Sequence, residues 1–156
     1  MAADRKVIKQ VLRAIPQQAP FRFIDEILEM DDHFVTSTYR FREDAFFYNG
    51  HFPGNPITPG VILIETMAQA GVTALGLYQL LKDRPASDMI DTITPLFAFA
   101  DQVEFLRPLK PGQQVIVLAE KIYFRRGHIK SKTRIQLEDG TTVCHGVLTG
   151  TGVKNL

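Results

Sequence analysis

The chain has 156 residues, 45% of them apolar and 22% charged, the profile of one compact folded unit and not of a disordered or fibrous chain. A formal net charge of +1 excludes a global electrostatic pull toward nucleic acid or an anionic membrane. A single cysteine, Cys144, cannot form an intrachain disulfide, which suits a reducing compartment.

At the N-terminus Arg5, Lys6, Lys9 and Arg13 are scattered among Val7, Ile8, Val11, Leu12 and Ile15. The apolar residues fall at helical spacing and no unbroken apolar stretch follows. This predicts a short amphipathic helix within 1–14 rather than a leader peptide, and a cytoplasmic protein. Phe21 to Met30 reads as a strand, Asp31-Asp32 as a turn, and His33 to Arg42 as a second, alternating strand. Glu43 to Pro59 is a loop dense in aromatics, glycine and proline, a composition that holds a backbone rigid.

Val61 to Leu81 is apolar enough to suggest a membrane span, but it contains Glu65, Gln69, Gln79 and two glycines. Glu65 would be costly in lipid, so the segment is expected to be a helix buried inside the fold, running to about Lys82 and stopped by Pro85. Phe97 to Leu106, Gln114 to Phe124, His128 to Leu137 and Thr141 to Gly150 read as strands. Arg126-Gly127 and Asp139-Gly140 supply hairpin turns. A helix apolar nearly all round needs cover on most sides, and five or six antiparallel strands in one curved sheet provide it. The expected class is α+β, with the whole of 1–156 as one domain.

Three features of the Gly50 to Gly71 segment carry chemistry. Glu65 is the only charge between His51 and Lys82. A carboxyl in an apolar helix is either bonded to something structural or tuned toward acid behaviour near neutral pH. His51 sits in the proline-braced loop; it is either a structural histidine or a base for a carbon acid. Gly60 starts the helix, where early amides lack intrahelical acceptors. Pro59-Gly60 is a helix-start signal in any case, and its amide can also polarise a carbonyl oxygen. Together they suit elimination of water from a 3-hydroxyacyl thioester. Gly60 polarises the carbonyl, His51 takes the C2 proton, and Glu65, or a water it holds, helps the C3 hydroxyl leave. No P-loop, dinucleotide fingerprint or metal cluster is evident, and the chemistry needs no cofactor. His33, His128 and His145 lack such bracing and read as structural or surface residues.

The run His51-Phe52-Pro53-Gly54-Asn55-Pro56 to Pro59-Gly60-Val61, followed by Glu65, Met67-Ala68-Gln69 and Gly71, resembles the FabZ-type 3-hydroxyacyl-[acyl-carrier-protein] dehydratases. Phe105-Leu106-Arg107-Pro108-Leu109-Lys110-Pro111-Gly112 resembles the family's Phe-x-Arg-Pro-x-x-Pro-Gly turn. Pro20-Phe21-Arg22-Phe23-Ile24-Asp25 resembles its Pro-Phe-Leu-Leu-Val-Asp strand. The likeness runs in order over about Ile15 to Leu148. It implies the hotdog fold, in which a curved antiparallel sheet wraps one long helix. It implies His51 and Glu65 as the catalytic dyad, and homodimers, often assembled as trimers of dimers, with His51 of one subunit facing Glu65 of the other. Glutamate at position 65 resembles the simple dehydratase, since the FabA-type dehydratase/isomerase has aspartate there. The chain departs from the family pattern at Pro16-Gln17-Gln18-Ala19, where Pro-His-Arg-aromatic is usual, and at Thr58 and Thr66 beside the site.

The implied partner is an acidic acyl-carrier protein presenting its acyl chain on phosphopantetheine. Arg125, Arg126 and Lys130 are the expected contacts, with Arg107, Lys110 and Lys132 as further basic candidates. Any of these can equally solvate a strand end. Phe46, Phe47, Phe97 and Phe99 are expected to line an acyl tunnel or else to fill core; chain-length preference is not legible. Two other functions remain open on the same fold: an acyl thioesterase, and an acyl-binding subunit without catalysis, which would need neither His51 nor Glu65.

Overall fold

The computed structural model describes residues 1–83 and 93–154. The helix stop expected at Pro85 lies outside them. The first helix, α1 (Arg5–Ala14), starts where the Asp4 carboxylate accepts from the Val7 amide at 2.8 Å, and it buries Val11. Six strands follow in one antiparallel sheet: β1 (Glu26–Met30), β2 (Phe34–Arg40), β3 (Ile93–Phe105), β4 (Gln114–Arg125), β5 (His128–Leu137) and β6 (Thr142–Lys154). Their order across the sheet is β1-β2-β4-β5-β6-β3, so β1 and β3 form its two edges.

The predicted hairpins are present. Arg126 (φ 50°) and Gly127 (φ 76°) both take left-handed backbone, and Arg125 pairs directly with His128. That is the two-residue turn whose twist matches a β-ribbon. Gly140 (φ 87°) turns β5 into β6, with the Asp139 carboxylate accepting from the Thr141 amide at 2.9 Å.

The long helix runs Gly60–Leu81, with 78% of its most apolar stretch buried inside the chain. Its apolarity is therefore spent on the sheet. It has three parts: α2 (Gly60–Ala68), a wider π-helical turn (Gln69–Ala74) and α3 (Leu75–Leu81). The π turn lies against the middle of the sheet, where Gly71 comes so close that an added Cβ would stand 2.6 Å from Thr133 Cγ2 and 2.9 Å from Ala119 Cβ. Ser131 Oγ donates to the Gly71 carbonyl at 2.6 Å, so a buried hydroxyl and a helix carbonyl satisfy each other.

Three elements differ from the expectation. β1 begins at Glu26 and not at Phe21, because the Phe21 carbonyl and the Phe23 amide bond to the Gln69 side chain (2.9 and 2.7 Å) and not to a neighbouring strand. β3 begins by Ile93 and β6 reaches Lys154, and the two pair along nearly their full lengths. Hydrophobic alternation is a poor guide for β3, because most of its side chains are exposed.

Candidate active site

The loop before the helix is built around His51. The amides and carbonyls of Phe52 and Asn55 bond to each other (3.1 and 2.9 Å), which closes the Phe-Pro-Gly-Asn turn. The peptide between His51 and Phe52 is cis, and the two rings stack at 4.0 Å. His51 Nδ1 lies 2.8 Å from the Ile57 carbonyl oxygen. A carbonyl only accepts, so Nδ1 carries the proton and the neutral ring has its free lone pair on Nε2. The imidazole is thus oriented as a base.

The two motifs, more than forty positions apart in sequence, meet here. The Thr58 amide donates to the Leu109 carbonyl at 2.8 Å. The Phe105 ring lies over Gly60, where an added Cβ would stand 3.0 Å from it. Between them is a cavity of about 370 Å³ whose walls include His51, Thr58, Gly60, Leu63, Phe105 and Arg107. The N-terminus of α2 follows Pro59, and no side chain caps it. The structure therefore brings His51, an uncapped helix start at Gly60 and one cation, Arg107, to a single cavity.

Glu65 is not among the residues that line it. Glu65 follows Gly60 by five residues, about 140° around a helix, so it projects from another face. It shares a stripe with Val61, one turn earlier and 72% exposed. Its partners are amides. Gln69 Nε2 donates to Glu65 Oε1 at 2.9 Å, and the Gln17 side chain comes close enough to favour the charged carboxylate. Burial pushes the Glu65 carboxyl above the ordinary glutamate range, with the Gln69 and Gln17 side chains pulling the other way.

Gln69 cannot turn around: its oxygen accepts from the Phe23 amide while its nitrogen serves both the Phe21 carbonyl and Glu65. Helical spacing places Gln69 one turn after Glu65 and could have revealed it. The signal at Gln17 is its departure from the family's Pro-His-Arg-aromatic pattern, which does not by itself point to Glu65. The two threonine departures are satisfied locally. Thr58 Oγ1 pairs with the Tyr48 hydroxyl at 2.7 Å, and Thr66 Oγ1 donates back to the Ile62 carbonyl at 2.7 Å.

The four tunnel candidates form two groups. Phe46 and Phe47 pack edge to face in the loop before His51, with centroids 5.2 Å apart, and Phe47 rests on the core. Phe97 and Phe99 lie on the edge strand β3, exposed, and are not brought to the other pair within one chain. Arg125, Arg126 and Lys130 cluster on the β4–β5 hairpin, the two arginines exposed and Lys130 half-buried.

The architecture, a curved antiparallel sheet around one long helix, is the hotdog fold, of the α+β class. It matches a chain of a structure described as the dehydratase heterocomplex ApeI:P from Xenorhabdus doucetiae (TM-score 0.75, 18% identity, 92% of this chain and 90% of that one). It also matches a mutant thioesterase from Pseudomonas aeruginosa (TM-score 0.62, 16% identity, 94% of each chain). At that identity these show the fold alone. The family model described as FabA-like domain matches residues 15–147. Proteins named 3-hydroxyacyl-[acyl-carrier-protein] dehydratase FabZ are similar along nearly their whole length. The one from Caldicellulosiruptor bescii is 33% identical over 90% of this chain and 94% of its own. The one from Thiobacillus denitrificans is 33% identical over 92% and 95%. The chain belongs to the FabA-like family of hotdog dehydratases and, within it, to the FabZ type.

Proposed function

We propose that this protein dehydrates a 3-hydroxyacyl thioester, carried on acyl-carrier protein in fatty acid synthesis, to the trans-2-enoyl thioester. The observation that carries the site assignment is the His51 Nδ1 bond to the Ile57 carbonyl, which leaves Nε2 as a base beside the uncapped start of α2. The thioester carbonyl oxygen accepts at the Gly60 amide. Nε2 removes a C2 proton, and the electron pair forms the C2–C3 double bond through an enolate held at that amide. The C3–O bond breaks, and the departing oxygen takes a proton from the Glu65 carboxylic acid to leave as water. Proton return from the imidazolium to the carboxylate, through solvent, resets both groups.

The geometry of one chain favours a site shared between two. Glu65 faces away from the His51 cavity, so on this reading it serves the cavity of a second copy. The thirteen-residue edge strand β3 supports this. It is long, and it exposes Leu96, Phe97, Phe99 and Phe105. Antiparallel pairing of β3 with its copy would cover these rings, make a homodimer, and bring Phe97 and Phe99 toward a tunnel that begins at Phe46 and Phe47. Arg125, Arg126 and Lys130 give the acidic carrier protein a local basic patch, and Arg107 at the cavity suits the phosphate of its prosthetic arm. The whole chain acts as one domain, in the cytoplasm.

The test follows a short trans-2-enoyl thioester, on carrier protein and on CoA. Loss of the conjugated double bond without thiol release, abolished in His51→Ala, is expected. Thiol release would instead make the protein a thioesterase; neither signal would favour an acyl-binding role.

A further inference from the structure

Gln17 follows α1 in a connection that is tightly tied down. Ile15 is buried, the Gln18 side chain donates to the Ile15 carbonyl at 3.1 Å, and the Phe21 amide donates to the Gln18 carbonyl at 2.8 Å. Arg22 ties the end of α1 to this stretch by donating to the Leu12 carbonyl at 2.7 Å. The Phe21 carbonyl is held in turn by Gln69, the same amide that fixes Glu65. Gln17 is thus delivered to Glu65 by a braced backbone.

Its two amide ends have different fates. The side chain approaches the Glu65 carboxyl closely enough to favour its charged form, while Oε1 is out of contact with solvent and has no partner. A buried acceptor left unpaired is expensive, and the large majority in folded proteins are satisfied. Ser37 Oγ is the other such side-chain atom among the described residues. It sits in the sheet, whereas Gln17 sits against the proposed acid.

We propose that Gln17 Oε1 is the acceptor for the hydroxyl hydrogen of the substrate's C3–OH, and so selects 3-hydroxyacyl thioesters. This rests on the dehydratase reading above. When Glu65 gives its proton to the departing oxygen, that oxygen still carries its own hydrogen. The hydrogen needs an acceptor in a site with little water. The neutral amide supplies one without competing for the Glu65 proton. Accepting from the hydroxyl also turns an oxygen lone pair toward Glu65. No covalent bond to Gln17 forms or breaks during turnover.

The test has two parts. In a His51→Ala background, where bound substrate persists, the affinities for a 3-hydroxyacyl thioester and for the saturated acyl thioester of equal length are compared. Gln17→Leu is expected to shrink the preference for the hydroxylated ligand by about 3- to 10-fold and to leave affinity for the saturated one unchanged. With His51 present, Gln17→Leu is expected to lower kcat about tenfold or more, and Gln17→His, which keeps a donor and an acceptor, to recover most of it. Should Gln17→Leu fail to fold as a dimer, Gln17→Met carries the same expectation. A variant that keeps both the hydroxyl preference and kcat overturns this inference alone, provided the wild type turns over. A wild type that acts on neither 3-hydroxyacyl nor enoyl thioesters overturns the dehydratase reading and this with it.

Discussion

His51 and Ile57 are joined twice: His51 Nδ1 donates to the Ile57 carbonyl at 2.8 Å, and the Ile57 amide donates back to the His51 carbonyl at 2.9 Å. The five-residue loop between them is therefore a clamp whose output is one ring orientation and one tautomer. Its prolines and glycine make sense as parts of that clamp rather than as a generic turn.

His51→Ala removes the proposed base but leaves the main-chain half of the clamp, since the Ile57 amide bonds to a backbone oxygen. Turnover is expected to fall by about 10²–10⁴-fold, the usual contribution of a general base. Thermal unfolding is expected to change little, because the side chain is only half-buried. Near-normal turnover with an intact assembly would remove His51 from the mechanism.

Glu65 sets a pH dependence whose sign follows from its burial. Its carboxyl is held above the ordinary glutamate range, and the charged form is the one that the surroundings oppose. The resulting stability is fully present below the unfolded carboxylate range and is lost as pH rises through the raised value. In the proposed mechanism the acid form is also the one that protonates the leaving hydroxyl. Both stability and dehydration rate are thus expected to fall on the alkaline side of the same titration. Glu65→Gln should abolish most turnover and flatten the stability profile there, read by urea unfolding over a pH series. A wild-type profile as flat as that of the variant would count against a buried acid.

Much of this was legible without coordinates, for reasons that are local. The Arg126-Gly127 and Asp139-Gly140 turns, the helix start at Pro59-Gly60 and the isolation of Glu65 are each written within a few residues. What escaped depends on distant partners. Phe21 to Asp25 has the composition of a strand, but the Phe23 amide and the Phe21 carbonyl bond to Gln69, 46 and 48 positions away. Gln17 stands where the family motif is altered, but nothing in that motif points to Glu65, and the two approach only once the connection after α1 is folded. The π turn at Gln69–Ala74 likewise reflects the sheet that Gly71 meets and not its own sequence.

Gly71→Ala tests that close approach. In an isolated helix the change would gain up to about 1 kcal/mol. Here the new methyl would meet Thr133 Cγ2 at 2.6 Å and Ala119 Cβ at 2.9 Å, atoms anchored to two central strands. Overpacking of that kind costs about 1–3 kcal/mol, so the net effect is expected to be destabilising, measured as a lower urea midpoint at unchanged slope. A stabilised variant would mean that the helix can lift off the sheet without loss.

The separation of Glu65 from the His51 cavity makes its own test. If each site takes His51 from one copy and Glu65 from the other, two inactive proteins hold complementary halves. His51→Ala keeps Glu65, and Glu65→Gln keeps His51. Refolded together in equal amounts, half of the dimers are mixed, and each mixed dimer holds one intact site and one doubly defective one. About a quarter of wild-type turnover is therefore expected, and none from either variant refolded alone. Phe99→Lys places a charge on the exposed edge of β3 and is expected to yield monomers by light scattering and to lower turnover in an otherwise wild-type chain. If the mixture stays inactive although mass spectrometry shows mixed dimers, both groups act within one chain. The helix would then have to turn Glu65 toward a cavity it does not face in this structure.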